Sequence, residues 1–341
     1  MRQLNDTWSD GNQPRMAHLS EEKAVKRFLV FIAMALAMAA AHAQQYPVKS
    51  IRFIVPYPPG GGTDLMGRTL AQKLTEALGQ QVVVENRSGA QGNNGTALAA
   101  KAAPDGYTIA LSYVGTLAIN PWLYKDAGFD PIRDFAQISL TTVQPYVIVV
   151  NPRVPVRTLK ELAATAKAKP DSLTFASSAS AGQLAAELFK MVTKTKMTHI
   201  PYKGAGPAVI DLIGGHVDLM FSSPASSVPQ VKAGKLRALA VTSPTRMGAL
   251  PDVLTSKESG FPDLEIGGWY GIAAPAGTPR DIVNRLNAET VKALALKDVK
   301  DRLASDGLET KTNTPDEMTA FVKAEYERWG KVVKAAGMKV E

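Results

Sequence analysis

Residues 51–78 read IRFIVPYPPGGGTDLMGRTLAQKLTEAL, and this stretch decides the fold. A β-branched run, Ile51–Val55, passes through a turn rich in proline and glycine into a segment where an apolar residue recurs every fourth position. That spacing predicts a helix over Asp64–Leu78, and Gly79 stands where a glycine commonly ends one. The stretch therefore predicts a strand, a tight loop and a helix in succession.

The same alternation continues along most of the chain. The predicted strands are Ile51–Val55, Val82–Glu85, Tyr107–Ser112, Tyr146–Val150, Leu173–Ser177, Val217–Phe221, Leu236–Val241 and Trp269–Ala273. The predicted helices include Asp64–Leu78, Leu159–Ala168, Leu184–Val192, Ala208–Ile213, Pro279–Leu294 and Asp316–Ala336. Strands that are apolar at consecutive positions and alternate with helices indicate an α/β protein, with mostly parallel sheets covered on both faces.

The length and the placement of prolines favour two domains. A chain of 341 residues more often forms two domains than one. Proline-containing segments at Gln144–Pro155 and Pro262–Pro275 are the candidate crossings between them. The predicted boundaries are therefore 44–145 and 265–341 for domain 1, and 146–264 for domain 2.

The first 43 residues have the pattern of a cleaved signal peptide. Basic residues precede an apolar run over 28–41, which ends in the small-residue site Ala41-His42-Ala43. This run is too short for the ~20 residues that a membrane-spanning helix needs. We therefore expect export to the periplasm with a mature chain that starts at Gln44, and either Met1 or Met16 fits as the translation start.

Composition excludes several classes of protein. The chain has no cysteine, which excludes disulfides, thiolate metal ligands and a lipid anchor on cysteine. Its net charge of +8 is spread along the sequence without a long basic run. We therefore expect no nucleic-acid partner, and a surface that mildly favours anions.

The residues that most enzymes need are missing. His199 and His216 are the histidines left after signal cleavage, and neither has metal-ligand spacing from a second histidine or a carboxylate cluster. There is no Gly-x-Ser-x-Gly elbow and no cysteine nucleophile. We expect no metal, no cofactor and no catalytic activity.

The loop at 56–64 is the clearest candidate binding site. A helix N-terminus presents unpaired N–H groups and partial positive charge, and glycines let an anion approach the backbone closely. The loop lacks the third glycine of a dinucleotide fingerprint and the Gly-Lys-Ser/Thr of a P-loop. The simpler alternative is that its glycines only make a tight turn. The candidate ligand contacts here are Tyr57, Gly60, Gly61, Gly62 and Thr63.

A second loop of the same kind follows the strand Leu173–Ser177 and leads into the next helix. Small hydroxylated residues offer both backbone and side-chain donors. The candidates in this loop are Ser177, Ser178, Ala179 and Ser180. Polar residues at other strand ends are expected to complete the site: Ser112, Tyr113, Thr116, Tyr202, Ser222 and Ser223. Two such loops, one in each predicted domain, suit a cleft that holds a carboxylate.

Ten segments recur in an order that is typical of one family. They are PYPPGGGTD (56–64), VVVENRSGAQGNNG (82–95), PDGYT (104–108), NPWLY (120–124), ELF (187–189), HIPYKGAGPA (199–208), DLIGGHVDLMF (211–221), GKLRALAVT (234–242), RMGALPDV (246–253) and APAGTP (274–279). Over Tyr46–Gly337 the chain resembles the substrate-binding proteins of tripartite tricarboxylate transporters, also called the Bug family.

The resemblance implies a two-domain periplasmic-binding-protein-like fold, in which two crossover strands join the domains. It also implies one mono- or dicarboxylate in the cleft, held by the loops at Tyr57–Thr63 and Ser177–Ser180 through backbone amides, hydroxyls and water. The expected partners are this ligand and the membrane permease subunits of the transporter. We expect the chain itself to be a monomer.

Two departures from the family pattern fall on the domain 2 side of the cleft. The loop Ser177–Gly182 is shorter than is usual in the family, and Gln183 stands where a histidine is common. Ser222 replaces an acidic residue. Because an ammonium group needs a negative partner, the loss of this acid at Ser222 favours a carboxylate without an amine.

Three functions fit the sequence. The first is an exported solute-binding protein that captures a small carboxylate and delivers it to a permease. The second is the same clamp acting as a ligand sensor for a membrane signalling partner. The third, an exported enzyme with a glycine-rich substrate loop, lacks the nucleophile, metal and cofactor motifs that it would need.

Overall fold

The computed structural model describes residues 46–338. The predicted signal peptide at 1–43 lies outside these residues. From Lys49 onward the chain forms one compact unit. In the part that is described, no helix combines the length and the apolar character needed to cross a bilayer.

The described chain alternates between strands and helices, as the sequence predicts. The strands are β1 (Ile51–Val55), β2 (Val82–Asn86), β3 (Thr108–Tyr113), β4 (Phe135–Pro145), β5 (Val147–Val150), β6 (Thr174–Ser177), β7 (Thr198–Pro201), β8 (Leu219–Ser222), β9 (Arg237–Val241), β10 (Gly267–Pro275) and β11 (Glu309–Thr310). The helices are α1 (Gly62–Leu78), α2 (Asn93–Ala100), α3 (Asn120–Leu123), α4 (Leu159–Ala168), α5 (Ser180–Thr193), α6 (Ala205–Gly214), α7 (Pro224–Lys232), α8 (Arg280–Ala295), α9 (Lys297–Ser305) and α10 (Pro315–Ala335). A 3₁₀ turn at Ala90–Gly92 precedes α2, and a π-helical turn at Gly115–Ile119 precedes α3.

Sheet 1 has the strand order β11-β4-β10-β3-β1-β2. β1 is parallel to β2 and β3, while β10 is antiparallel to β3 and β4, and β11 is antiparallel to β4. Only β10 and β11 therefore run against the other strands of this sheet. The predicted α/β class is confirmed here, with the refinement that the sheet is mixed.

Sheet 2 has the order β7-β6-β8-β5-β9. β6 is parallel to β7 and β8, while β5 is antiparallel to β8 and β9. β5 runs against both of its neighbours, and only Tyr146 separates it along the chain from β4 of sheet 1. We use lobe 1 for sheet 1 with its helices (49–145 and 267–338) and lobe 2 for sheet 2 with its helices (146–266). The predicted domain boundaries stay a prediction.

Helices cover both faces of each sheet. In sheet 2, Met220 packs in a cluster with residues of α6 and α7, whereas its neighbour Phe221 lies on the opposite face, against Phe189 of α5 at 5.7 Å between ring centroids. In sheet 1, Trp269 contacts α10 through Phe321, and its neighbour Tyr270 faces the start of α1. Successive residues of a strand point to opposite faces, so strands covered on both faces are apolar at nearly every position.

The two chain crossings are held together by Thr242, which is fully buried. The Tyr146 N–H donates to Thr242 Oγ1 at 2.8 Å, and this hydroxyl donates to the Ile266 carbonyl at 2.5 Å. The Thr242 N–H donates to the Tyr146 carbonyl at 2.9 Å. One side chain thus joins the crossing that enters lobe 2 to the crossing that leaves it.

Candidate functional site

A cavity lies between the two lobes, and four helices begin at its wall. Its lining includes Gly61 and Gly62 at the start of α1, Ala179 before α5, Ala205 at the start of α6 and Ser223 before α7. None of these helices has a side-chain hydrogen bond capping its N-terminus. The unpaired N–H groups and the partial positive charge of each N-terminus are therefore directed toward one small volume.

The side chains that line this cavity are uncharged. Tyr57, Tyr113, Tyr146 and Tyr270 form much of the wall, together with Phe221, Thr63 and Ser178. Burial raises the pKa of all four tyrosine hydroxyls, so they stay neutral in any ordinary buffer. The positive potential in the cavity therefore comes from backbone dipoles and is not offset by any lining carboxylate.

The four tyrosines support one another. Tyr113 meets Tyr57 edge-on at 5.6 Å between ring centroids and lies against Tyr270 at 5.4 Å. The hydroxyls of Tyr113 and Tyr146 are 3.0 Å apart and share a hydrogen bond. Tyr113 and Tyr270 are cross-strand partners on β3 and β10, whereas Tyr146 comes from the chain crossing. The cavity wall thus includes parts of both lobes.

Tyr57 is fixed from behind by an unusual turn. Four successive residues, Gly89 to Gly92, have positive φ, and two of them are not glycine: Ala90 at 44° and Gln91 at 56°. This conformation turns the Gln91 carbonyl inward, where it accepts from the Tyr57 hydroxyl at 2.7 Å and from Asn120 Nδ2 at 3.0 Å. A side chain at Gly92 would come within 3.0 Å of the Tyr57 ring. The strained turn therefore fixes the position of a cavity wall.

Asp64 braces the glycine loop from outside the cavity. Its carboxylate accepts from the Gly60 N–H at 3.2 Å, from Arg68 Nε at 3.0 Å and from Asn86 Nδ2 at 3.0 Å. Burial by itself raises the pKa of Asp64, but these hydrogen bonds outweigh it and hold the pKa below its usual value. The Asp64 carboxylate therefore stays ionised, and Arg68 compensates its negative charge at 3.0 Å.

The second predicted loop divides into two parts. Ser178 and Ala179 line the cavity, whereas the buried Ser177 hydroxyl is hydrogen-bonded to His199 Nε2 at 2.7 Å. His199 stacks on Phe175 at 4.8 Å, and burial lowers the pKa of its imidazole. Ser180 Oγ is buried without a hydrogen-bond partner in the described structure, next to Gly115 of lobe 1. His199 lies in β7, and its contact with Ser177 has no signal in the sequence.

Eight of the fifteen predicted contacts line the cavity: Tyr57, Gly61, Gly62, Thr63, Tyr113, Ser178, Ala179 and Ser223. The other seven do not line it: Ser112, Thr116, Ser177, Ser180 and Ser222 are buried, Tyr202 is half-buried, and Gly60 is exposed. Thr116 donates to the Tyr113 carbonyl at 3.2 Å, and Ser222 donates to the Ser223 carbonyl at 3.1 Å. Tyr202 donates to Asp211 at 2.7 Å. The role of these seven residues as ligand contacts stays a prediction; in the described structure, Thr116 and Ser222 hydrogen-bond to lining residues.

Several lining residues were not predicted, and the reason is their place in the chain. Tyr146 and Tyr270 belong to the two crossings. The others, Gly182, Ala205 and Phe221, have no polar side chain that would mark them as ligand contacts in the sequence. The motif KGAGPA over 203–208 was available as a signal, since Gly204 and Ala205 repeat the pattern of a small residue before a helix. The crossing tyrosines had no comparable signal.

The lobes are close together across the cavity. A methyl group on Gly61 would lie 3.4 Å from Ala205 Cβ, and one on Gly204 would lie 2.9 Å from Pro58. The space left between the lobes is about 30 Å³. That volume holds about two water molecules. The described conformation is therefore a closed one.

Comparison with known proteins agrees with this architecture. The pattern described as tripartite tricarboxylate transporter family receptor matches residues 66–338. Protein BugT of Bordetella pertussis is 39% identical over 315 residues, a match that covers 92% of this chain and 97% of BugT. Members of this family are substrate-binding proteins and not enzymes.

Two solved structures from Rhodopseudomonas palustris are similar over nearly their full length. The structure of Rpa4515 with adipate has a TM-score of 0.84 and 35% identity, and covers 86% of this chain and 99% of that chain. MatC (Rpa3494) with bound malate has a TM-score of 0.81 and 32% identity, and covers 84% of this chain and 100% of that chain. By sequence and by fold, this chain belongs to the tripartite tricarboxylate transporter receptor family, the periplasmic solute-binding proteins that include the Bug proteins.

Proposed function

We propose that the protein captures a small organic mono- or dicarboxylate in the cavity between its lobes and delivers it to a membrane permease. The observation that carries this proposal is the convergence of four uncapped helix N-termini on a cavity without charged side chains. An anion entering such a site gains hydrogen bonds and dipole interactions and meets no buried negative charge.

The ligands of the relatives have the same chemistry. Rpa4515 was solved with adipate and MatC with malate, and both ligands are dicarboxylates without an amine. In this chain the lining offers no carboxylate to pair with an ammonium group. We therefore propose a carboxylate without an amine as the ligand.

The roles of the residues follow from their positions. The N–H groups at Gly61–Thr63 of α1 receive the carboxylate on lobe 1, and those at Ala179–Gly182 of α5 approach it from lobe 2. The hydroxyls of Thr63, Ser178 and Ser223 add donors beside the backbone. The four tyrosines then enclose the less polar remainder of the ligand.

Capture requires motion of the lobes. The closed cavity of about 30 Å³ is too small for a diacid of adipate's length, so the lobes must separate to admit the ligand and close around it. We propose that they move as the two predicted domains, with the crossings at Thr242 as the hinge. The proposed location is the periplasm, reached through cleavage of the predicted signal peptide.

Calorimetric titration of the mature chain tests this function. A panel would contain adipate, malate, succinate and benzoate, with 1,6-hexanediol as an uncharged analogue of adipate and glutamate as an amine-bearing diacid. We expect one site, occupied by at least one carboxylate and by neither hexanediol nor glutamate. Tight binding of glutamate would contradict the neutral-cavity argument, and no heat or thermal stabilisation from any acid would overturn the function.

A further inference from the structure

The cavity wall contains one pair of hydroxyl groups with more protons than acceptors. Tyr113 and Tyr146 both line the cavity, and their hydroxyl oxygens lie 3.0 Å apart. A tyrosine hydroxyl carries one proton, so the hydrogen bond between the two uses one proton of the pair. The other proton has no acceptor among the residues that the structure describes. Because a buried donor without an acceptor is costly, this pair offers a hydrogen bond to whatever occupies the cavity.

The buried amide of Gln144 lies beside this pair. Gln144 of β4 is the cross-strand partner of Gly268, which stands two positions before Tyr270 on β10. Cross-strand partners and alternate residues share a face of the sheet, so Gln144 lies on the face from which Tyr270 lines the cavity. A Cβ on Gly268 would lie 3.2 Å from the Tyr146 hydroxyl oxygen and 3.3 Å from Gln144 Nε2. The amide and the Tyr146 hydroxyl therefore face the same small space above this glycine.

Gln144 has no other polar contact in the part of the chain that is described. Its side chain is 5% exposed, and neither Nε2 nor Oε1 has a hydrogen-bond partner there. It does not line the cavity itself, so it is not placed to touch a ligand. What it can do is orient the hydroxyl of Tyr146, and through it the hydroxyl of Tyr113.

The direction of hydrogen bonding through these three side chains decides what the wall offers to a ligand. With Gln144 Nε2 donating to Tyr146, Tyr146 donates to Tyr113, and the Tyr113 proton is free for the cavity. In the reverse direction Tyr113 donates to Tyr146 and Tyr146 to Gln144 Oε1, and the wall offers only an acceptor. Carboxylate oxygens accept and do not donate, so an anionic ligand selects the first direction. Nε2 is also the amide atom that lies toward Tyr146.

We propose that Tyr113 is a specificity-determining residue, positioned by Tyr146 and Gln144, and that the ligand carries a second oxygen that accepts its proton. The first carboxylate lies at the N–H groups of α1 and α5, and the second oxygen lies further along the carbon chain. The ligand class is then a dicarboxylate or a hydroxycarboxylate rather than an unsubstituted monocarboxylate. A wall that donates to an oxygen rejects an analogue that lacks it, because the buried proton is left unpaired. The role of Tyr113 rests on the proposed function.

Acids that differ only at the far end of one carbon chain test the ligand class. Adipate, 6-hydroxyhexanoate and hexanoate share six carbons and one carboxylate, and succinate with butyrate forms a shorter pair. In the pair that binds the wild type, we expect calorimetric titration to give a Kd for the monoacid about tenfold or more above that for the diacid. We expect 6-hydroxyhexanoate to bind more tightly than hexanoate, since its hydroxyl oxygen also accepts.

Variants that remove one polar group at a time test the residues. In Tyr113→Phe we expect the ratio of the monoacid Kd to the diacid Kd to fall to about two or less, and in Tyr146→Phe and Gln144→Met to about three to five. Tyr57→Phe is the matched control, because Tyr57 also lines the cavity but donates its proton to the Gln91 carbonyl behind the wall at 2.7 Å. It keeps the wild-type ratio. A side chain that only supports the fold changes both Kd values together and leaves the ratio as it is.

Failure of this assignment and failure of the proposed function give different results. Monoacids that bind the wild type as tightly as their diacids would overturn the ligand class and leave carboxylate capture standing. A folded Tyr113→Phe that keeps the wild-type ratio would overturn the role of Tyr113, with folding checked by thermal unfolding. Should that variant not fold, a wild-type ratio in both Tyr146→Phe and Gln144→Met would do the same. No binding of any acid would overturn the proposed function and the role of Tyr113 with it.

Discussion

Gly62 lies at the start of α1, beside Tyr270 of its own lobe and beside Ser223 and Ala225 of lobe 2. A methyl group there would lie 2.5 Å from the Tyr270 hydroxyl and 3.3 Å from both Ala225 Cβ and Ser223 Oγ. A contact of 2.5 Å is far inside van der Waals distance, and Tyr270 is a buried side chain with little freedom to move. The missing side chain at Gly62 therefore leaves room for the Tyr270 hydroxyl within lobe 1 and for the approach of Ser223 and Ala225 from lobe 2.

Gly62→Ala is expected to weaken carboxylate binding about tenfold or more, equivalent to about 1.4 kcal/mol, and to lower the unfolding temperature. The added methyl displaces the buried Tyr270 hydroxyl within lobe 1 and crowds Ser223 and Ala225 of lobe 2, although alanine itself is compatible with the first turn of a helix. Calorimetric titration and thermal unfolding measure the two effects. Gly248→Ala is the matched control, since a Cβ there meets nothing within 4 Å. Equal affinities for the two variants would contradict the role of Gly62.

The tyrosines of the cavity predict how affinity depends on pH. Burial raises the pKa of Tyr57, Tyr113, Tyr146 and Tyr270, so each stays protonated below its ordinary pKa of about 10. No lining group then changes charge between about pH 6 and pH 9. We expect the Kd for a fully ionised carboxylate to be constant over that range, and to rise only at lower pH, where the ligand's own carboxyl group takes up a proton. A titration midpoint near neutral pH in the Kd would contradict this and point to His199.

At the scale of elements, the hinge depends on Thr242. Its hydroxyl accepts from the Tyr146 N–H and donates to the Ile266 carbonyl, and all three groups are at the buried junction of the crossings. Valine has nearly the same shape without the hydroxyl, and leaves both backbone groups unpaired. We expect Thr242→Val to lower the free energy of unfolding by about 2 kcal/mol, and Thr242→Ser to lower it much less. Denaturant unfolding measures both, and equal losses would mean that packing rather than hydrogen bonding holds the junction.

The sequence predicts well those strands and helices whose local residue pattern matches the burial of the same residues in the fold. β1 and α1 are found close to their predicted bounds, because a β-branched run and a four-residue apolar repeat each match the buried face they form. β4 was not predicted, although it is the longest strand of sheet 1. It carries Gln137, Ser139 and Thr141, which are almost fully buried, so the apolar pattern of a strand is missing from its sequence.

The site is predicted less completely than the fold for a similar reason. The loops that precede α1 and α5 are local, and their glycines and hydroxyls are visible in the sequence. Tyr146 and Tyr270 become neighbours only through the crossings. His199 lies in β7, which was not predicted as a strand because it is short and ends at a proline. Side chains that come together only through tertiary structure have no characteristic spacing in the sequence.

At the scale of the whole molecule, the closed cleft makes ligand capture a motion of both lobes. The approach of Gly61 to Ala205 and of Gly204 to Pro58 closes the cavity to about 30 Å³. Under the proposed function, the lobes open to admit a diacid, and the bound diacid holds them slightly further apart than they lie here. Opening exposes the uncapped N-termini of α1 and α5 to water, and a carboxylate that bridges them favours closure by its differential affinity for the closed form.

We expect adipate, or the acid that binds best in the panel, to reduce the radius of gyration measured by small-angle scattering, with a midpoint that matches the calorimetric Kd. Gly62→Ala should show little reduction at the same ligand concentration, and hexanediol should cause none in wild type. Calorimetric binding without any change in the radius of gyration would mean that the cavity admits its ligand without lobe motion, and that the helix N-termini act as a fixed site rather than as the two halves of a clamp.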